Sequence, residues 1–313
     1  MNSILLDILR LMFWGPMRKL ISHLNPAYSF SIAKAIAFFA YHILNGRRKI
    51  ISEEIRASIG REWTSDKIDK TVFDSFKISI RSQLMMFYLP RLNYSNINEY
   101  ISIEGLGFLE DALSTKKGAI ILNPHFGPFM LIMPALHYRG YRVNQIALQG
   151  EPPWKKRKWL DKKGYDIKYA TIEGNIPVNF INTSAGPHSL RAAVNALRNN
   201  EILLFPSTGR GGTALHTVNL MKRKVALSIF PFKLALRTGA SLLPASVCCD
   251  GSMGKVIIEG PLNIRDDFTP EELTERYAEV LDYQVTKNPE HFLSYLYLIH
   301  NISLLGEPPF FID

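Results

Sequence analysis

The sequence predicts an α/β fold, a mixed central sheet with flanking helices, preceded by an N-terminal helical anchor. Two patterns carry that prediction. From about residue 101 short runs rich in branched aliphatics alternate with stretches of helical periodicity, which is how a sheet covered by helices reads in sequence. The first fifty residues are different, combining bulky apolar side chains with a concentration of positive charge. At 313 residues and 47% hydrophobic content the chain can bury a sizeable core, which excludes disorder throughout.

The N-terminal segment comes first. The formal net charge is +9, from 37 Lys and Arg against 28 Asp and Glu, and residues 1–50 carry seven basic residues (Arg10, Arg18, Lys19, Lys34, Arg47, Arg48, Lys49) against one acid, Asp7. Ile4, Leu5, Leu6, Ile8, Leu9, Leu11, Met12, Phe13 and Trp14 add apolar and aromatic bulk beside these charges. Nucleic acid would need the charge alone, whereas a helix lying in a lipid headgroup region needs both. The expected partner is therefore a membrane surface, with no nucleic acid. Tyr28–Leu44 is nearly continuous in apolar character but interrupted by Lys34, and about 20 apolar residues are needed to cross a bilayer. A monotopic membrane anchor over residues 1–50 is expected, followed by a globular unit over 51–313. No signal peptide fits, because Asp7 and Arg10 break the early apolar run and no small-residue cleavage site follows. The body is then expected on the cytoplasmic side, where basic residues and anionic lipids favour one another.

Residues 49–90 predict two amphipathic helices, the second ending near Leu89-Pro90. Strands are predicted at 118–123, 143–148, 202–205, 241–247 and 255–259, and helices at 129–138, 187–199, 226–238 and 270–287. No repeat or low-complexity linker interrupts them. Cys248 and Cys249 are the two cysteines; adjacent in a strand, they are poorly placed for a stapling disulfide and too few for a zinc site, so they read as reduced core residues. No metal site and no cofactor are expected.

Two strand ends carry unusual chemistry. After Gly118–Leu122 the chain reads Asn123-Pro124-His125-Phe126-Gly127-Pro128-Phe129-Met130, which places His125 in a strand-to-helix turn facing solvent at a cleft. After Ile202–Phe205 it reads Pro206-Ser207-Thr208-Gly209-Arg210-Gly211-Gly212-Thr213, a glycine-rich turn whose backbone N–H groups could approach an anion while Arg210 pairs with a phosphate. Lys222-Arg223-Lys224 follow, either a solvated face or a collector of acidic substrate. Gly-x-Ser-x-Gly and His-Glu-x-x-His are both absent, which argues against a serine hydrolase elbow and a zincin site. Trp154 and Trp159 flank Lys155, Lys156, Arg157 and Lys158, a basic patch suited to a membrane or an acidic carrier protein.

Taken in order, these residues resemble a family. His125-Phe126-Gly127 after a Gly-led strand, Ser189-Leu190-Arg191 opening a helix towards Leu197-Arg198 and Glu201, Phe205-Pro206 leading to Arg210, and Leu236-Arg237-Thr238-Gly239-Ala240 running to Pro244 look like the bacterial lysophospholipid acyltransferase superfamily. The nearest likeness is to the lipid A late acyltransferases, the lauroyl and myristoyl transferases. Gly105–Leu109 and the tail at Leu273–Ala278 and Asn288–Phe292 fit as well, so the resemblance spans about residues 100–300. It implies acyl transfer from an acyl carrier protein or coenzyme A thioester to a lipid or glycolipid acceptor at the inner membrane. It further implies His125 as general base, with Asn123, Gly127, Arg191, Ser207 and Arg210 placed around the substrate.

The sequence departs from the family pattern at the acids. Five residues after His125, where the family carries the acid that orients the imidazole, stands Met130; Ser207 occupies the place of a second acid after the proline. Three readings remain open. Another carboxylate replaces the acid, with Glu151, Asp161 and Glu173 as candidates. The acceptor is an amine, more nucleophilic than an alcohol, for which a lone histidine suffices. Or the chain is a lipid-binding or assembly protein that kept the fold without catalysis.

Overall fold

The computed structural model describes residues 3–147, 163, 166–168, 170–172, 174–182, 186–209, 214–249, 254–265, 267–304 and 309–312. Its centre is a seven-stranded sheet. The strands are β1 (Ile101–Glu104), β2 (Ala119–Leu122), β3 (Val143–Ala147), β4 (Asn179–Asn182), β5 (Ile202–Phe205), β8 (Ser241–Cys248) and β9 (Gly254–Ile258), in the order β1-β9-β8-β2-β5-β3-β4. Only the β8–β9 pair is antiparallel, so the sheet is mixed but mostly parallel. β2 and β5 are buried at every position, which is why they read as unbroken apolar runs.

Because strand side chains alternate between faces, successive residues of β2 and β5 feed two different cores. Ile120, Leu122, Leu203 and Phe205 enter one; Ala119, Ile121, Ile202 and Leu204 enter the other. The first core is covered by α4 (Asn45–Ala57), α5 (Ser65–Met86), α9 (Pro187–Arg198), α10 (Phe230–Thr238), α11 (Pro270–Lys287) and α12 (Leu293–Ser303). The second takes Trp14 and Ile21, Ile97 of the short α6 (Ile97–Tyr100), residues of α7 (Leu106–Ser114) and α8 (Ile132–His137), and the chain around Met85–Leu92. α11 runs over the residues its pattern predicts. Thr269 accepts from the Glu272 N–H while the Glu272 carboxylate accepts from the Thr269 N–H, a reciprocal cap with Pro270 just inside.

The structure differs from the sequence prediction at 215–228. There β6 (Leu215–Leu220) and β7 (Arg223–Ser228) form a separate antiparallel hairpin, and the helix predicted from 226 begins only at Phe230. The hairpin turn is Met221-Lys222, both with positive φ (55° and 62°), so a turn usually announced by Asn-Gly is made by residues that give no such signal. β1 and β4 were also without a strand signal, since they are short edge strands of half-polar composition. Cys248 and Cys249 are half-buried against the two cores rather than deep in either, and no disulfide joins them.

The N-terminal helices α1 (Ser3–Met12), α2 (Arg18–Ser22) and α3 (Tyr28–Ile43) each show two faces where their side chains are described. α3 packs on α5 through the small residues Ala33 and Ala37, while Phe30, Phe38, Phe39 and Ile43 are more than half exposed. Trp14 is buried in edge contact with Phe13 and Phe87. No described helix is long and apolar enough to cross a membrane. At 16 residues α3 extends ~24 Å, short of a ~30 Å hydrocarbon core.

Candidate active site

The site is assembled where β2 and β5 end side by side. The Asn123 N–H donates to Phe205 O (2.9 Å) and the Ser207 N–H to Asn123 O (3.3 Å), so the pairing of the two strands continues into the loops that follow. This brings His125 against Thr208. The His125 backbone N–H donates to Thr208 Oγ1 at 3.0 Å, and the same hydroxyl lies 2.8 Å from His125 Nδ1. Thr208 is itself held, because its carbonyl accepts a hydrogen bond from the Tyr295 hydroxyl of α12. The imidazole stacks on the Tyr295 ring, centroids 4.5 Å apart and planes 7° from parallel, with Phe129 at 4.7 Å on another side.

His125 is therefore not the solvent-facing turn residue the sequence suggested. It keeps an accessible edge but is packed between rings, and burial lowers its pKa from the ordinary 6.5 to about 4. The imidazole is neutral near pH 7. With Nδ1 engaged by Thr208, Nε2 is the nitrogen left for a reacting group.

The turn is held from behind by the motif Asn288–Phe292. Gly127 has φ +56°, and its N–H donates to His291 O at 2.9 Å. A β-carbon at Gly127 would sit 2.2 Å from Val247 O and 2.9 Å from His291 Cδ2, so the close approach requires glycine twice over, for its backbone angle and for its missing side chain. The His291 ring stacks on Phe126 (5.1 Å, 12°) and its Nε2 accepts from the Cys249 N–H at 3.2 Å.

The other sequence-predicted positions divide into three groups. Asn123 and Ser207 lie beside His125 and are buried. The Asn123 side-chain N–H donates to Phe129 O at 3.2 Å, and its Oδ1 has no hydrogen-bond partner among the described residues; Ser207 Oγ is hydrogen-bonded to the hydroxyl of Tyr277, whose pKa burial raises. Arg191 is exposed in the first half of α9. That helix runs into β5, so its N-terminal half lies towards the sheet end that carries His125, and among the described residues no hydrogen bond or ion pair joins Arg191 to the site. Arg210 and the candidate acids Glu151, Asp161 and Glu173 lie outside the described residues, as do Lys155–Lys158.

Met130, five residues after His125, is half-buried and packs on the second core. The partner of His125 Nδ1 is the Thr208 hydroxyl. The sequence places Thr208 in the glycine-rich turn but gives it no role, and it gives no sign of Tyr295. The adjacency of β2 and β5 would have pointed to the first, whereas no local signal marks the second. Among the described residues no group of three or more His, Cys, Asp or Glu side chains is placed to hold a metal ion.

A mostly parallel sheet with a neutral, hydrogen-bonded histidine at the C-terminal end of a central strand is an arrangement suited to proton abstraction from a substrate bound over the strand ends. The family described as bacterial lipid A biosynthesis acyltransferase matches residues 16–299, nearly the whole chain including every element of this site, and the chain belongs to that family. Comparison with curated proteins returns no match.

Proposed function

We propose that this protein transfers an acyl chain from an acyl carrier protein or coenzyme A thioester to a lipid, glycolipid or amine acceptor, with His125 as the general base. The observation that carries this reading is the hydrogen bond between His125 Nδ1 and Thr208, which leaves Nε2 of a neutral imidazole free in a family of acyltransferases. Nε2 takes the proton of the acceptor O–H or N–H as the acceptor atom attacks the thioester carbonyl. The C–S bond then breaks, and the proton held by the imidazole passes to the departing thiolate. Nδ1 must carry the other ring proton for this, donating it to Thr208 Oγ1. An imidazole this weakly basic, with Met130 where the family places its acid, favours an acceptor that needs little activation, and an amine fits that requirement better than an alcohol. In this reading Asn123, Gly127 and Ser207 beside His125, and Arg191 on α9, serve the substrate, while Arg210, outside the described residues, is assigned to it by the resemblance alone.

The protein works on the cytoplasmic face of the inner membrane in this proposal. The support is the apolar outer face of the N-terminal helices, where Phe30, Phe38 and Phe39 border a shallow groove with Lys34 at its edge. Aromatic bulk beside lysine suits insertion to headgroup depth.

The test is acyl transfer by the purified protein with thioester donors against hydroxyl and amine acceptors. His125→Gln should lower turnover by about 10²- to 10⁴-fold with the fold intact. Unchanged transfer would remove His125 from the base role, and no transfer by the wild type with any donor would favour a lipid-binding protein without catalysis.

A further inference from the structure

The base reading leaves one charge unaccounted for. When His125 takes a proton it becomes an imidazolium, and no carboxylate is among its described contacts to offset it. Its described contacts are the Thr208 hydroxyl from the loop after β5, the ring of Phe129 from its own turn, and the ring of Tyr295 from α12; none is charged, and burial is the cause that weakens its affinity for a proton. Of these contacts the Tyr295 ring is the one whose shape fits the task. It lies flat against the imidazole at 4.5 Å and 7°, so the negative face of its π system meets the whole plane over which an imidazolium spreads its charge.

We propose that Tyr295 is the positioning residue of the base, its ring face stabilising the imidazolium formed at His125 and its hydroxyl fixing Thr208 so that Nε2 is presented to the acceptor. This rests on the base reading above and names the residue that makes it workable without a carboxylate. The division of labour follows from one side chain reaching two targets, since the ring contacts the imidazole while the hydroxyl donates to the Thr208 carbonyl. Tyr295 is fixed in turn. It is 6% exposed and packed against Phe292 at 5.5 Å, and Phe310 meets its ring edge-on at 5.7 Å and 85°. Phe310 belongs to a C-terminal segment clamped on β7, where Phe311 pairs with Val225, the Ile312 N–H donates to Lys224 O at 2.9 Å, and the Arg223 guanidinium covers the Phe311 ring at 4.0 Å. The C-terminal segment thus supports the ring that supports the base.

The experiment compares Tyr295→Phe, which keeps the face and removes the hydroxyl, with Tyr295→Met, which fills most of the space without a π face. Each full-length variant is measured for kcat and KM and, by ¹⁵N-histidine NMR titration, for the pH at which His125 protonates. A cation over an aromatic face gains an amount equivalent to roughly 2- to 30-fold. The Met variant should lose kcat by that factor relative to the Phe variant with KM little changed, and its His125 should titrate at lower pH than in the Phe variant. Phe310→Ala, distant from the reacting atoms, should move both readouts in the same direction by less. Equal kcat and equal His125 titration in the Phe and Met variants would overturn the proposal. The titration reads the ring face without any turnover, so a failure of the base reading, seen as activity indifferent to His125→Gln, is distinguishable from a failure of this one.

Discussion

Replacing Gly127 with alanine tests how tightly the histidine turn is built. Two penalties add at this position. An L-residue at φ +56° in the left-handed region costs ~1–2 kcal/mol relative to glycine. The new β-carbon would also lie 2.2 Å from Val247 O, about 1 Å short of ordinary contact, and the atom it meets is strand backbone that cannot swing aside. Relief requires the turn to retreat, which strains the Gly127 N–H bond to His291 O, itself worth ~1 kcal/mol. The sum is a loss of ~2–4 kcal/mol, read as a lower midpoint in urea. Because His125 is two residues away, a retreat of about 1 Å misplaces Nε2 and should cost on the order of 10² in turnover. Gly140→Ala is the control, for it has φ +90° with nothing within 4 Å of the added carbon and should show the backbone penalty alone with activity retained. A Gly127→Ala protein with the stability and turnover of the Gly140→Ala protein would refute this account of the turn.

Three further outcomes follow from the same geometry. The His125 ring resists protonation in the folded chain, so between pH 6.5 and about 4 the unfolded chain binds the proton first and stability falls as pH falls through that window, by at most ~3 kcal/mol since water at the exposed edge moderates the shift; the His125→Gln protein should lack this component when denaturation is compared from pH 7 to pH 4. Tyr277→Phe strands the buried Ser207 hydroxyl and should cost ~1–3 kcal/mol in chemical denaturation, and a stability equal to wild type would mean that bond contributes nothing. Met130→Glu puts a carboxylate against the second core without an open place at His125 Nδ1, so it should lower the melting temperature and leave turnover no higher than wild type; a gain in turnover would show that the family's acid can still be accommodated.

The sequence by itself determined the parts whose cause is local. β2 and β5 are legible because burial on both faces demands unbroken apolar runs, and α11 because Thr269, Pro270 and Glu272 write its start in four consecutive residues. It placed His125 at a strand end and pointed to the family whose match spans residues 16–299. The tertiary structure decided what surrounds His125. Thr208 lies 83 residues away and meets it only because β5 is laid beside β2, a choice made by strand order and by no residue near either. Tyr295 reaches the same place from α12, and His291 from the turn before it, through packing that leaves no periodic trace. The hairpin of β6 and β7 was hidden for a related reason: Met221 and Lys222 adopt left-handed angles that their side chains do not announce, and the pairing of β6 with β7 supplies the energy that holds them there. Local propensity writes elements into a sequence, whereas the neighbours of a buried imidazole are settled when distant elements compete for the same apolar surface.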